Sequence, residues 1–129
     1  MKKAIVLAGS RGIGKAIADA LLSSGLDVVA TSTRELDTSD LRQVKKFIKE
    51  QRQTDILVMN TGGPPAKDFF DIKEDEWQHY HNQMFLGFCL ILQNLKINEG
   101  GYIFLISSFN IKEPDPKLIL SNAYRVAFS

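Results

Sequence analysis

Residues 4–20, AIVLAGSRGIGKAIADA, join a short aliphatic run to a glycine turn and then to alanine-rich sequence with helical spacing. Ile5, Val6 and Leu7 suit a strand buried on both faces, and Gly9, Gly12 and Gly14 let the chain turn sharply out of it. Ile13, Ala16, Ile17, Ala20 and Leu21 recur at helical intervals, which predicts a helix that lays this stripe on the sheet. A helix that starts in such a turn aims unpaired N–H groups, and the positive end of its dipole, at whatever lies beyond the strand. The stretch therefore predicts strand, phosphate-binding turn and helix, with a pyrophosphate as the occupant.

Two other readings of the turn are weaker. Gly9-x-x-x-x-Gly14-Lys15 approaches a P-loop, but the next residue is Ala16, which has no hydroxyl to hold Mg²⁺. A ligand-free connection would not need three glycines between positions 9 and 14.

Downstream, Gly25 ends the helix and residues 26–32, LDVVATS, read as a second buried strand that completes a βαβ unit. Residues 35–40 hold only a few residues where a further helix and strand would fit, and Ser39 or Asp40 serves as N-cap of a helix with Leu41, Val44, Phe47 and Ile48 on its apolar face. Residues 55–59, DILVM, are another buried strand, ending in Asn60-Thr61-Gly62-Gly63-Pro64-Pro65. An acidic first turn from Lys73 opens a long helix to about Leu95, where Trp77, Tyr80, Met84, Phe85, Phe88, Leu92 and Leu95 make a broad apolar surface. Asn98–Gly101 reads as a turn, residues 102–107 as a strand with Ser108 at its end, residues 112–116 as a stiff loop, and a last helix begins near Ser121.

The 129 residues make one domain, 1–129, and a net charge of +1 gives no argument for nucleic acid or anionic membranes as partners. No apolar stretch is long enough to span a membrane, and the expected setting is cytoplasmic. Cys89 is the only cysteine and its apolar neighbours place it in packing. His79 and His81 are two apart, on different sides of a helix, which argues against a shared metal.

The turn Gly9-x-x-Gly12-x-Gly14, with Ala8-Gly9 ahead of it, and the Asn60-Thr61-Gly62-Gly63 segment resemble the short-chain dehydrogenase/reductase family. GGPP after one strand, Ser and then Lys-Glu-Pro after the next, and Leu-Ser-Asn before an arginine resemble its 3-oxoacyl-carrier-protein-reductase-like branch. The resemblance implies a Rossmann-type, doubly wound α/β fold with a parallel sheet in the family order 2-1-4-5, the third strand vestigial and the chain truncated after the fifth. The usual member is about twice as long, and a helix stopping at Ala127-Phe128-Ser129 without a cap predicts a missing C-terminal part.

Under that resemblance the cofactor-binding residues are Gly9, Ser10, Arg11, Gly12, Ile13 and Gly14, then Ser32, Thr33 and Arg34, then Asp37, and Asn60, Thr61, Gly62 and Gly63. Ser32–Arg34 contain no carboxylate to grip two ribose hydroxyls, whereas Arg34 and Arg11 complement a 2′-phosphate, so NADP(H) is expected in preference to NAD(H). The family's Asn, Ser, Tyr and Lys tetrad maps onto Met84, Ser108, Ser121 and Arg125, so one of the four survives. A serine hydroxyl is a far weaker acid than a tyrosine of pKa about 10, and arginine stays protonated to above about pH 12. Ser121 and Arg125 are expected to form a different proton-handling or anion-binding pair, and Lys112, four residues past Ser108, is a candidate substitute charge.

The expected activity is hydride transfer between NADP(H) and a small carbonyl or alcohol substrate. The alternatives are an NADP-binding sensor with impaired catalysis, or a structural subunit. The surplus apolar surface over Trp77–Leu95, with the helix near Ser121, predicts a homodimer.

Overall fold

In the computed structural model, which describes residues 1–106 and 119–128, β1 (Lys3–Val6), β2 (Asp27–Ala30), β3 (Gln53–Met59) and β4 (Lys96–Leu105) lie parallel in the order β2-β1-β3-β4. The registers are parallel throughout, with Ile5 opposite Val29 on one side and Leu57 on the other. The chain leaves β1 toward β2 on one side and returns to β3 on the other, so strand order reverses beside β1. In open parallel sheets a crevice forms there, beyond the carboxyl ends of the strands. This is the expected doubly wound arrangement, and residues 31–40 contain no strand.

Alternation along the strands divides the core between the two faces. Ile5, Leu7, Leu57 and Met59 face α2 (Leu41–Gln51) and α4 (Gly87–Asn94), packing with Val44, Phe47, Phe88 and Ile91. Val6 and Val58 face α1 (Gly12–Ser23) through Ala18. The sequence pattern placed the buried stripe of α1 only in part, with Ile17 and Leu21 as expected. Gly14 and Ala18 are buried and Ile17 and Leu21 pack on the core, whereas Ile13 is 66% exposed and Ala16 and Ala20 face solvent. Spacing of three and four residues fits either stripe; small Gly14 and Ala18 win because they let the helix lie close to the sheet.

Asp40 is the N-cap of α2, accepting from the N–H groups of Arg42 and Gln43. The expected long helix is interrupted: α3 (Glu74–His81) passes into a π-helical turn, Asn82–Leu86, before α4. Of its apolar residues, Met84, Phe88 and Leu95 enter the core and Leu92 remains 37% exposed, so the surplus is smaller than the sequence implied. Asn98–Gly101 is not a turn between elements but an irregularity inside β4: Ile97 pairs with Thr54 and Tyr102 with Ile56, leaving Asn98–Gly101 opposite Asp55. The side chain of Asn98 donates to Asp55 Oδ1 at 3.1 Å, which ties the bulge back to β3. Beyond it Tyr102, Ile103, Phe104 and Leu105 all stay exposed on this edge strand.

α5 (Ile119–Phe128) packs against α3 and the π-helical turn. Tyr124 lies edge-on to Trp77 and His81, and its hydroxyl donates to the Trp77 carbonyl at 2.9 Å. Among the described residues, no helix is long and apolar enough to cross a membrane.

Candidate functional site

The carboxyl ends of β1, β2 and β3 open into a cleft of about 460 Å³ lined by Ala8, Ser10, Arg11, Ile13, Ser32, Thr33, Arg34, Asn60, Thr61 and Gly62. A smaller cavity of about 70 Å³ continues from it between Leu36, Asp37, Thr38, Thr61, Gly62 and Gln83. Three segments that the sequence nominated separately thus meet around one space.

The glycine turn is shaped by two requirements. Ala8 and Gly12 take positive φ, +51° and +62°. A side chain at Gly14 would overlap the Ala8 carbonyl oxygen, and one at Gly9 would come within 2.9 Å of both the Ala30 Cβ and the Val6 carbonyl oxygen. The sequence pattern placed the first special residue at Gly9; the left-handed residue is Ala8. Gly9 answers instead to a close approach of the chain to the end of β2.

Among the described residues no side chain caps α1: Arg11 makes no capping hydrogen bond, in contrast to Asp40 on α2. The first N–H groups of α1 therefore remain available at the mouth of the cleft, where an anion is their natural acceptor. Arg11 and Arg34 are exposed on the same cleft, and among the described residues neither is in an ion pair. Ile13, exposed in the first turn of α1, adds an apolar wall.

Glu35 was missed in the sequence. Its Oε2 accepts the Ser32 N–H at 3.4 Å, which puts a carboxylate at the rim beside Arg34. Only its place one residue beyond Arg34 could have signalled it. Asp37 lines the smaller cavity, with Oδ1 accepting from the N–H and hydroxyl of Ser39 at 3.0 and 2.6 Å.

At the end of β3, the Asn60 side chain donates to the Ala8 carbonyl at 3.4 Å and links this loop to the glycine turn. Gln83, also missed, donates from Nε2 to Thr61 Oγ1 at 2.9 Å and to the Gly62 carbonyl at 2.8 Å. Met84, at the expected asparagine place, is 2% exposed in the core and reaches no part of the cleft. The Arg125 guanidinium lies 3.6 Å from where a Gly63 Cβ would stand.

Arg125 is half-buried and donates to the Ile106 carbonyl at 3.3 Å, beyond the end of β4. Burial pulls its pKa down from the ordinary arginine value. Tyr124 is on the α3 side, its phenol pushed up by burial. Ser121 falls within α5, but its side chain, together with Ser108, Lys112 and the loop 112–116, lies outside the described residues.

No family model matches the chain. Individual proteins do. It is 31% identical to dehydrogenase/reductase SDR family member 6 of Aquarana catesbeiana, over 82% of this chain and 52% of that protein. It is also 31% identical to a 3-oxoacyl-[acyl-carrier-protein] reductase of Salmonella typhimurium, over 59% of this chain and 40% of that one. The chain thus spans about half or less of the length of these curated relatives. Among solved structures, a small-chain dehydrogenase in complex with NADPH superposes with a TM-score of 0.85 at 24% identity, covering 98% of this chain and 59% of the other. A glucose/ribitol-type short-chain dehydrogenase/reductase from Brucella melitensis gives a TM-score of 0.89 at 18% identity, over 98% of this chain and 65% of that one. These superpositions carry the fold.

Proposed function

The chain belongs to the short-chain dehydrogenase/reductase family, and from that premise we propose that it binds NADP(H) in the cleft and transfers hydride between that cofactor and a carbonyl or alcohol substrate. The observation that carries this reading is an uncapped helix start opening on a cleft whose exposed arginines, Arg11 and Arg34, form no ion pair among the described residues. When bound, the reduced nicotinamide supplies the hydride.

The residues divide the work. The N–H groups at the start of α1, with Ser10, hold the pyrophosphate. Arg34 and Arg11 pair with the 2′-phosphate through bidentate guanidinium contacts, with Ser32 and Thr33 beside them. Asp37 and Thr38 bound the smaller cavity on the adenine side, and Asn60, Thr61 and Gly62 present backbone to the centre of the dinucleotide. Arg125 stays cationic near neutral pH, so it serves as a fixed positive charge for an oxyanion or a carboxylate on the substrate rather than as a proton donor. Ser108, Ser121 and Lys112 complete the proposed catalytic group. The protein assembles as a homodimer through the outer faces of α3, α4 and α5.

A second reading, an NADP-binding sensor, is favoured by Met84. That residue is sealed in the core at the place where the family has asparagine, and an arginine stands in place of the lysine.

Titration with NADPH and NADH, followed by nicotinamide fluorescence, tests the cleft. Saturable binding is expected, tighter for NADPH, with Arg34→Ala weakening NADPH by roughly tenfold and NADH little. Failure to bind either nucleotide would overturn both readings. Turnover of carbonyl substrates by the binding-competent protein then separates the reductase from the sensor.

A further inference from the structure

We propose that Gln83 is a positioning residue of the cleft, holding the Thr61–Gly62 peptide in the orientation in which it meets the dinucleotide; this rests on the nucleotide-binding reading above. Both N–H bonds of its amide converge on that loop, at 2.9 Å to Thr61 Oγ1 and 2.8 Å to the Gly62 carbonyl. The Thr61 hydroxyl in turn donates to the same Gly62 carbonyl at 3.2 Å. Among the described residues, a Cβ added at Gly62 would meet nothing within 4 Å, so no close packing on that side of the peptide competes with these hydrogen bonds.

Gln83 is itself held from the other side. The Thr38 hydroxyl donates to the Gln83 carbonyl at 3.0 Å, and the helix backbone presses so close that a Cβ on Gly87 would sit 2.5 Å from the Thr38 carbonyl oxygen. The π-helical turn provides the offset. An extra residue in the turn rotates the helix past it, sending Met84 into the core and leaving Gln83 aimed at the loop. Thr38, Gln83 and Thr61 thereby link the wall of the smaller cavity to the loop after β3, and Asn60 extends the link to Ala8. Substitution at Gln83 should therefore free one loop without opening the fold.

The experiment uses Gln83→Leu, which removes the amide at similar length, Thr61→Val, which removes the acceptor, and the double variant. Hydrogen exchange on the nucleotide-free proteins is read at peptides covering 61–63, and NADPH and 2′,5′-ADP affinities are measured in parallel. Each single variant is expected to speed exchange at 61–63 by about tenfold while β1 stays unchanged. Each should weaken both NADPH and 2′,5′-ADP by roughly fivefold, since Thr61, Gly62 and Gln83 line the cavity on the adenine side, with the double variant adding little. Unchanged exchange at 61–63, or unchanged affinity for both ligands, would overturn the proposal. Wild-type protein that binds neither ligand would sink the nucleotide reading alone, because exchange in the free chain decides the role of Gln83 in holding the loop.

Discussion

Asp55 accepts the main-chain N–H of Lys3 through Oδ2 at 2.8 Å, one residue before the β1–β3 ladder begins at Ala4. The neighbouring Thr54 hydroxyl donates to the Lys3 carbonyl at 3.0 Å, and Asn98 donates to the other Asp55 oxygen at 3.1 Å. Side chains from β3 thus complete the pairing of β1 and hold the bulge of β4. This staple lies at the amino ends of the strands, opposite the cleft.

The Lys3 N–H, followed by the Asn98 amide, keeps the Asp55 carboxyl below the ordinary aspartate range. A carboxylate with a lowered folded-state pKa contributes stability that is present above its unfolded value, about 3.9, and lost as pH falls through the folded one. Thermal melts between about pH 7 and pH 2 should show a steep acid limb below about pH 4. Asp55→Asn should lower the melting temperature at neutral pH and flatten that limb. An acid limb of unchanged steepness in the variant would remove Asp55 from this account.

Ala8 and Gly12 invite opposite substitutions. Holding an L-residue at positive φ costs about 1–2 kcal/mol, while glycine loses about 0.4–1 kcal/mol more backbone freedom on folding. Strain is the larger of the two, so Ala8→Gly should gain about 0.5–1 kcal/mol and Gly12→Ala should lose a similar amount. A Cβ at Gly12 meets nothing within 4 Å, so strain is its only cost. Urea denaturation of the pair checks both signs. Gly14→Ala differs in kind, because its side chain would strike the Ala8 carbonyl oxygen and push the turn apart.

Restoring the family's asparagine should not restore a family site. Met84 is 2% exposed, so Met84→Asn loses its packing and buries an amide, at a cost of about 2–4 kcal/mol. Denaturation and carbonyl-reductase assays on the variant should show lower stability and no gain in turnover. A gain in turnover would mean that position 84 reaches the substrate.

On the proposed NADP(H) reading, Glu35 would limit 2′-phosphate selectivity. Its carboxylate is held at the rim by the Ser32 N–H, beside Arg34, where it opposes an incoming phosphate. Glu35→Gln should raise the NADPH-to-NADH affinity ratio by roughly threefold at low salt and by less at high salt, since the group is exposed and screened. Titrations at two ionic strengths read both effects.

Much of the fold and cleft was legible in the sequence, for physical reasons. The runs 4–7 and 55–59 are apolar without interruption, as strands covered on both faces must be, and Asp40 stands where a helix needs an acceptor. The buried stripe of α1 was legible only in Ile17 and Leu21, because alanine and glycine satisfy several helical phases at once and only the approach of the sheet chooses between them. Gln83 escaped for a related reason: a π-helical turn shifts the side-chain phase, and no residue type in Asn82–Leu86 announces one. Ala8 misled because a small non-glycine residue can be held at positive φ by surroundings that its own identity does not reveal.

The separation of the Asp55 staple from the cleft has a practical side for engineering. If the cleft binds a nucleotide as proposed, residues 32–35 and 61–62 can be varied together in a library for altered nucleotide preference while the contacts that register β1, β3 and β4 stay intact. The crowded spots at Gly9 and Gly14, where an added side chain would strike backbone, lie outside those positions and stay fixed.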